Sequence, residues 1–345
     1  MNCSYCTREK APRDMSEETL IKACELAFSS GNSAGLSFFG GEPMLKKELI
    51  IKAIEYCKEK EKQTGKRFRC KMTTNGTLLD DNFLNYAKLS GLEIAISYDG
   101  TAQDICRKFA DGSDSGKTAE EKARLLLSYM PQSYAMLTLA PDAVTELYNS
   151  VKYLYDIGFR KISATPAYGK NVSWNNDDMS KLEDELVKIS DFYSDVFRND
   201  IRLFFSPFDS KITSCIRGTS PKDHCQLGIR QLTVTTDGTL YPCTQFIGKS
   251  AFGLGNVTDG IDAKKRQALS LIDTTPEICR QCDLKDRCTN SCSCANIMET
   301  GEMNRISPLQ CTYERMLIKI CDDMAEKLYS EYPDKFRKRY MIKRA

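Results

Sequence analysis

The sequence predicts an α/β fold built on a parallel sheet, with a smaller cysteine-rich domain behind it. Two observations carry this. Strand-like and helix-like stretches alternate through roughly the first two-thirds of the 345 residues, and strands separated by helices pair in parallel through crossover connections. From about Ile212 onward the alternation gives way to loops holding ten of the 16 cysteines.

The elements follow in order. Ser16–Ser29 has helical periodicity with an approximate capping-box start at Ser16-Glu17-Glu18-Thr19. Leu36–Phe39 reads as a short buried strand ended by Gly40-Gly41, and Lys46–Lys62 as a long charged helix. Phe68–Thr74 is a strand closed by Asn75-Gly76, Asp80–Ser90 a helix stopped by Gly91, and Glu93–Ser97 a strand closed by Asp99-Gly100. A helix at Ala119–Tyr129, a strand at Tyr134–Leu139, a helix at Val144–Ile157 and a strand at Lys161–Thr165 continue the alternation. Ser180–Phe197 is a further helix. Gln231–Thr235 and Thr239–Tyr241 flank Thr236-Asp237-Gly238 as a hairpin, Thr312–Tyr329 closes as a helix, and Lys335–Ala345 reads as a solvated, frayed basic end. The alternation fits an open or closed barrel, or a doubly wound sheet. In such folds ligands bind at the carboxyl ends of the strands. The tips Gly40-Gly41-Glu42-Pro43, Thr74-Asn75-Gly76 and Ser97-Tyr98-Asp99-Gly100 fall there, although Gly and Asn also simply make turns.

Composition narrows the class. Hydrophobic residues are 41% and charged residues 28%, enough to bury a core. A net charge of +2 argues for neither nucleic acid nor an anionic membrane surface. No apolar run approaches ~20 residues, and Met1–Cys6 has no signal-peptide pattern, so a cytoplasmic enzyme is expected.

Sixteen cysteines stand against a single histidine, His224. In a chain of this length and expected compartment, clustered cysteines point to metal rather than disulfides. Cys24, Cys57, Cys70 and Cys106 are scattered singly and read as buried small hydrophobes. The C-terminal array is C-x12-G-x4-C, a gap, C-x2-C-x5-C-x3-C, a gap, then C, through Cys225, Gly238, Cys243, Cys279, Cys282, Cys288, Cys292 and Cys311. With Cys215 upstream, eight thiols suit two four-coordinate sites, as a [4Fe–4S] cube takes one thiolate per iron. Zinc is the rival, although only Cys279/Cys282 makes a C-x2-C knuckle here. At the N-terminus Cys3-x2-Cys6 is weak alone, and gains force from Phe38-Phe39-Gly40-Gly41-Glu42-Pro43 downstream.

These pieces together resemble a known family. Asn2-Cys3-Ser4-Tyr5-Cys6 resembles the last five residues of C-x3-C-x2-C, the signature of the radical SAM superfamily. Gly40–Pro43, Thr73–Leu79 and Ile96–Gly100 resemble that family's next motifs in order, and the C-terminal array is similar to its SPASM domain at every spacing. The resemblance covers nearly the whole chain. It implies a partial (β/α)6 TIM-like barrel at 1–205, a SPASM auxiliary-cluster domain at 206–325 and a basic tail at 326–345. The family's first cysteine falls upstream of Met1, with the first barrel strand. The expectation is therefore an N-terminally truncated chain, holding two of three catalytic-cluster ligands and about five of six strands.

The resemblance also implies the chemistry. A [4Fe–4S] cluster with one open iron binds S-adenosylmethionine, one electron cleaves the S–C5′ bond, and a 5′-deoxyadenosyl radical abstracts a substrate hydrogen. By the same resemblance Cys3 and Cys6 hold that cluster and Tyr5 lies near the adenine. Gly40, Gly41 and Glu42 receive the methionyl amine, Ser97 and Asp99 face the ribose, and Arg107, in a stretch with Asp104, pairs with the carboxylate or is a surface charge. Asn75 is a turn residue near the site or a ligand contact. Cys225, Cys243, Cys292 and Cys215 would hold one auxiliary cluster; Cys279, Cys282, Cys288 and Cys311 would hold a second. Cys294 and Cys321 receive no role, and no catalytic side chain is singled out.

Enzymes of this type mostly modify peptides or proteins, with an electron donor such as flavodoxin or ferredoxin. Anaerobic sulfatase-maturating enzymes carry an Asp, thought to be the base, directly after the cysteine matching Cys243. Here that residue is Thr244, which favours the branch that crosslinks ribosomally made peptides. The alternative of another class is a zinc-binding structural protein on a decayed barrel.

Overall fold

A computed structural model describes residues 1–6, 14–169, 171–199, 201–219, 225–290 and 292–340. Its first eight strands are β1 (Asn2–Cys3), β2 (Ser33–Phe38), β3 (Arg67–Thr74), β4 (Leu92–Ser97), β5 (Arg107–Lys108), β6 (Tyr134–Leu139), β7 (Lys161–Pro166) and β8 (Phe204–Phe205). The first six helices are α1 (Glu17–Phe28), α2 (Lys47–Thr64), α3 (Asp81–Ser90), α4 (Gln103–Cys106), α5 (Gly116–Tyr129) and α6 (Leu147–Asp156). They are followed by α7 (Asn176–Arg198), α8 (Ser206–Arg217), α9 (Ala263–Ser270), α10 (Ser293–Thr300), α11 (Pro308–Glu331) and α12 (Pro333–Tyr340). A six-stranded sheet runs in the order β2-β3-β4-β6-β7-β8, and the expected α/β architecture is present. Among the described residues no helix is long and apolar enough to cross a membrane.

The chain divides into two compact units. The first comprises Met1–Thr7, Ile96–His224 and Thr274–Ala345; the second comprises Arg8–Ala95 and Cys225–Asp273.

In the second unit, Ser16 caps α1 by accepting a bond from the Thr19 amide at 3.1 Å. Leu20, Cys24 and Phe28 lie four residues apart on one helix face and pack with Ala34, Ala53 and Cys57. Cys24 and Cys57 are fully buried and Cys70 nearly so, as small hydrophobes are. β2 and β3 pair in parallel from Ser33↔Arg67 to Phe38↔Met72, which brings their carboxyl ends out together. The hairpin expected around Thr236-Asp237-Gly238 forms from β9 (Thr233–Val234) and β10 (Leu240–Tyr241), with Asp237 Oδ1 accepting from the Thr239 amide at 3.1 Å. A second short hairpin joins β11 (Gly255–Asn256) to β12 (Gly260–Ile261).

In the first unit, β6, β7 and β8 are parallel, and β1 pairs antiparallel with β5. The long helix α7 begins at a capping box in which Asn175 and Asp178 exchange side chain-to-backbone bonds at 3.0 Å. α11 packs against α7 and α8. Lys211 of α8 and Glu314 of α11 form a buried ion pair at 2.6 Å. The basic C-terminal segment is not the frayed, solvated end its charge suggests. Over Pro333–Tyr340 it is a helix with Phe336 and Tyr340 buried. The Tyr340 hydroxyl meets that of Tyr193 at 2.6 Å, and Arg217 donates to the Tyr340 carbonyl. Aromatic burial outweighs the charge there. Residues 341–345 of that expected tail lie outside the described residues.

One glycine in this unit is sterically required. Gly100 has φ +65°, and an added Cβ would lie 2.9 Å from the Ser150 Cα and carbonyl oxygen on α6. Gly100→Ala is expected to cost at least about 1–3 kcal/mol through the backbone conformation alone, before the clash. A thermal melt followed by circular dichroism checks this; an unchanged midpoint would contradict it.

Candidate functional site

The residues expected from the sequence fall into three groups, two mainly in the first unit and one in the second. The first surrounds the N-terminal cysteines. The Cys6 amide donates to the Cys3 carbonyl at 3.1 Å, so both thiols sit on one turn. Asn171 fixes the Cys6 carbonyl from another segment at 3.1 Å. The turn is stitched to the body of the unit: Cys3 is in register with Arg107 across β1 and β5, and the Ser4 amide donates to the Cys106 carbonyl.

Beneath that turn lies a buried charge network. Arg107 forks onto Asp99, Nε to Oδ2 at 2.5 Å and Nη2 to Oδ1 at 3.1 Å. Asp99 Oδ1 also accepts the Thr138 amide at 2.8 Å, and Oδ2 the Tyr5 hydroxyl at 3.3 Å. Arg107 Nη2 reaches the Thr138 hydroxyl, and its guanidinium lies 5.3 Å from the Tyr5 ring centroid. Both charges are almost fully buried. Burial opposes the Arg107 charge, yet the Asp99 carboxylate more than offsets it, and the guanidinium is held more firmly protonated than usual. Burial pushes the Tyr5 hydroxyl well up, and Asp99 adds to it. Burial also raises the Cys3 thiol, with Arg107 as the chief opposing influence.

This geometry bears on the expected roles. The Arg107 side chain is engaged by Asp99, so it is no free surface charge, and both Asp99 oxygens are bound within the chain. Ser97, at the end of β4, is half-buried. Asp104 caps α5 from outside, accepting the Ser115 and Gly116 amides at 2.7 Å each.

The second group is at the ends of β2 and β3 in the second unit. Gly40 has φ +147°, a conformation glycine alone adopts readily, and a Cβ on Gly40 or Gly41 would meet nothing within 4 Å. Open space thus faces the backbone at both positions. Glu42 ties the two strand ends together. Its Oε1 accepts from the Met44 amide at 3.0 Å and the Thr74 hydroxyl at 2.6 Å, and Oε2 from the Asn75 amide at 2.8 Å. A carboxylate has about four acceptor positions, so capacity for a further donor remains. Asn75 turns its Oδ1 onto the Thr77 amide and hydroxyl, closing an Asx turn.

The third group is the C-terminal thiols. Among the described residues no cysteine is in a disulfide. Arg315 Nη2 lies 3.6 Å from Cys282 Sγ, and the Arg315 charge also interacts with Cys279, Cys288 and Cys311. The Cys282 amide donates to the Cys279 carbonyl, closing a tight turn at the knuckle. Burial raises the Cys279 thiol and, more strongly, that of Cys288, where Glu314 adds to the effect. Among the described residues no three His, Cys, Asp or Glu side chains converge as ligands of a single ion would. A cube-shaped cluster asks for a different arrangement, one thiolate on each of four irons, so its sulfurs ring a body rather than meet at a point. Four free thiols with one neighbouring cation fit that donor chemistry. Cys215 and Cys292 belong to the first unit and Cys225 and Cys243 to the second. Cys294 lies 3.1 Å from Cys292, sulfur to sulfur, and Cys321 is fully buried. Thr138 and Arg315 were not singled out from sequence. A signal existed for Arg315, four residues and one helical turn after Cys311.

With this geometry in hand, the comparisons can be stated. Residues 1–171 match the family model described as the radical SAM superfamily. The chain is 22% identical over 317 residues to a cysteine-type anaerobic sulfatase-maturating enzyme of Clostridium perfringens, covering 85% of each. Another curated relative is spanned over only 57% of its own length. Among solved structures, native anSMEcpe with bound AdoMet and Kp18Cys peptide superposes with a TM-score of 0.78 at 21% identity, covering 94% of this chain and 96% of that one. Streptococcus suis SuiB bound to precursor peptide SuiA superposes at 0.63 with 14% identity, covering 89% and 72%. At such identities the superpositions establish the fold.

Proposed function

We propose that this chain, whose residues 1–171 match the radical SAM superfamily model, is an enzyme that modifies a peptide or protein substrate, with residues 206–325 as an auxiliary iron–sulfur domain. The observation that carries the proposal is the joining of that domain to Cys279, Cys282, Cys288 and Cys311, none of them in a disulfide, with Arg315 Nη2 3.6 Å from Cys282 Sγ. When bound, the catalytic cluster and S-adenosylmethionine supply a one-electron cleavage of a sulfonium carbon–sulfur bond, the source of a hydrogen-abstracting radical.

The chain's own part is placement. Cys3 and Cys6 present two thiols from one turn, and the Asp99–Arg107 network fixes that turn from below. Gly40 and Gly41 leave backbone accessible to a cofactor, and Glu42 offers carboxylate capacity to an ammonium group. Tyr5 and Ser97 line the same set of motifs. Cys279, Cys282, Cys288 and Cys311 hold one auxiliary cluster; Cys215, Cys225, Cys243 and Cys292 hold another. A cytoplasmic setting, with an electron carrier such as flavodoxin or ferredoxin as reductant, completes this reading.

Crosslinking of a ribosomally made peptide is the favoured reaction, because Thr244 follows Cys243 and a hydroxyl is no base near neutral pH. The similarity to the Clostridium perfringens enzyme favours a second reading, sulfatase-maturating oxidation of a Cys or Ser. The test is anaerobic reconstitution with iron and sulfide, on this chain and on one with the three-cysteine motif completed ahead of Met1. Dithionite and S-adenosylmethionine are then added and 5′-deoxyadenosine is measured. Release is expected, and Cys279→Ala is expected to lose about four irons. Iron-loaded protein that leaves S-adenosylmethionine intact would defeat the proposal. With peptide present, a crosslink removes two hydrogens and joins two residues, whereas oxidation of a single Cys or Ser joins none.

A further inference from the structure

Arg315 stands one turn after Cys311 on α11, and residues four apart share a helix face. Its Nη2 is 3.6 Å from Cys282 Sγ, and the Cys311 thiol on the same helix face favours its charge. Its charge is felt at Cys288 and Cys279 as well. The chief influences on this guanidinium are the thiols of Cys311, Cys282 and Cys288, and among the described residues it makes no ion pair with a carboxylate. The preceding residue, Glu314, points to Lys211 in the interior. Arg315 itself is exposed. An exposed arginine directed at sulfur rather than at carboxylate has no evident part in holding the fold.

We propose that Arg315 sets the reduction potential of the cluster held by Cys279, Cys282, Cys288 and Cys311. The inference rests on reading those thiols as cluster ligands. Four thiolates around a cube of charge 2+ give a net charge of 2−, and uptake of one electron gives 3−. A fixed cation and an N–H bond to a ligand sulfur favour the more negative state, so the guanidinium raises the potential. A lysine would keep the charge and lose the planar, fixed N–H donors of the guanidinium. Solvent at this exposed position moderates the effect and makes it sensitive to ionic strength.

The experiment is a dithionite titration followed by electron paramagnetic resonance, in a Cys3→Ala/Cys6→Ala background that removes the catalytic cluster. The relevant signal is the one that disappears on adding Cys279→Ala. Arg315→Gln is expected to make one-electron reduction of that signal about tenfold less favourable, a fall of ~59 mV for one electron. Arg315→Lys is expected to fall between the two. Iron and sulfide are measured on every variant. An unchanged potential in Arg315→Gln at unchanged iron content overturns the proposal, as does a lysine variant shifted further than the glutamine one. If Cys279→Ala removes neither signal nor iron, the thiol assignment itself fails, and the proposal falls with it for that separate reason.

Discussion

Asp99→Ala is expected to destabilise the protein by about 3–5 kcal/mol, the range for removing one partner of a buried ion pair. The cause is what remains behind. Arg107 keeps its charge, stays buried, and loses the carboxylate it forks onto. The Thr138 amide and the Tyr5 hydroxyl lose their acceptor in the same step. Asp99→Asn keeps an acceptor oxygen for Thr138 and is expected to cost less. Adding Arg107→Met to Asp99→Ala is expected to recover a large part of the loss, because no unpaired charge is then left inside. Denaturant unfolding of the two single variants and the double gives the coupling directly. A single Asp99→Ala variant within ~0.5 kcal/mol of the parent would mean the network is not what holds this region. The effect is expected to reach the cysteine turn. Ser4, whose amide is bound to the Cys106 carbonyl next to Arg107, should exchange its amide hydrogen faster in the alanine variant.

The second large effect is expected at Lys211. Its ammonium sits 2.6 Å from Glu314 with both side chains nearly inaccessible, and it also donates to the Arg287 carbonyl at 2.9 Å. Glu314 accepts in addition from the Thr289 amide at 3.1 Å and hydroxyl at 2.9 Å. The pair thus joins α8, the segment at Arg287–Thr289 and α11. Lys211→Met leaves the carboxylate buried without its cation and is expected to cost about 3–5 kcal/mol. Lys211→Met with Glu314→Leu removes both charges and should be much milder in global stability. Because Glu314 fixes the residue after Cys288, the double variant is nonetheless expected to load less iron than the parent. A double variant as unstable as the single one would show that the hydrogen bonds to Thr289, not the charge pairing, dominate.

Much of the fold was legible because its signals are local. Ser16, Asp80 and Asn175 cap helices through side chains whose chemistry favours that position, and Gly91 ends a helix in the left-handed conformation. The strands at Tyr134–Leu139 and Arg67–Thr74 show the expected alternation of burial. The two-residue strand Phe204–Phe205 was missed because two residues carry no period, and α8 behind it because Pro207 and a polar run blur the helical pattern. The docking of the tail had a readable sign in Phe336 and Tyr340, one turn apart, but the surrounding lysines and arginines outnumber them.

The candidate site was legible in its residue types and much less so in its bonding. Nothing within Ser97–Arg107 says that Arg107 turns onto Asp99 rather than toward a ligand. That depends on β5 lying beside β1, which is a tertiary event. Glu42 offers the same lesson, since its partners Thr74 and Asn75 come from a strand end more than thirty positions away.

The first two turns of α11 carry three separate assignments at once. Cys311 and Arg315 occupy one face, Glu314 reaches the interior from another, and Gln310 and Tyr313 wall a small cavity with Tyr168 and Trp174. An insertion or deletion of a single residue just ahead of Gln310 would swing every one of them by about 100° around the helix axis. Drift in length over evolutionary time is therefore tolerable in the loops that precede this helix only where Ser307 continues to set its starting phase.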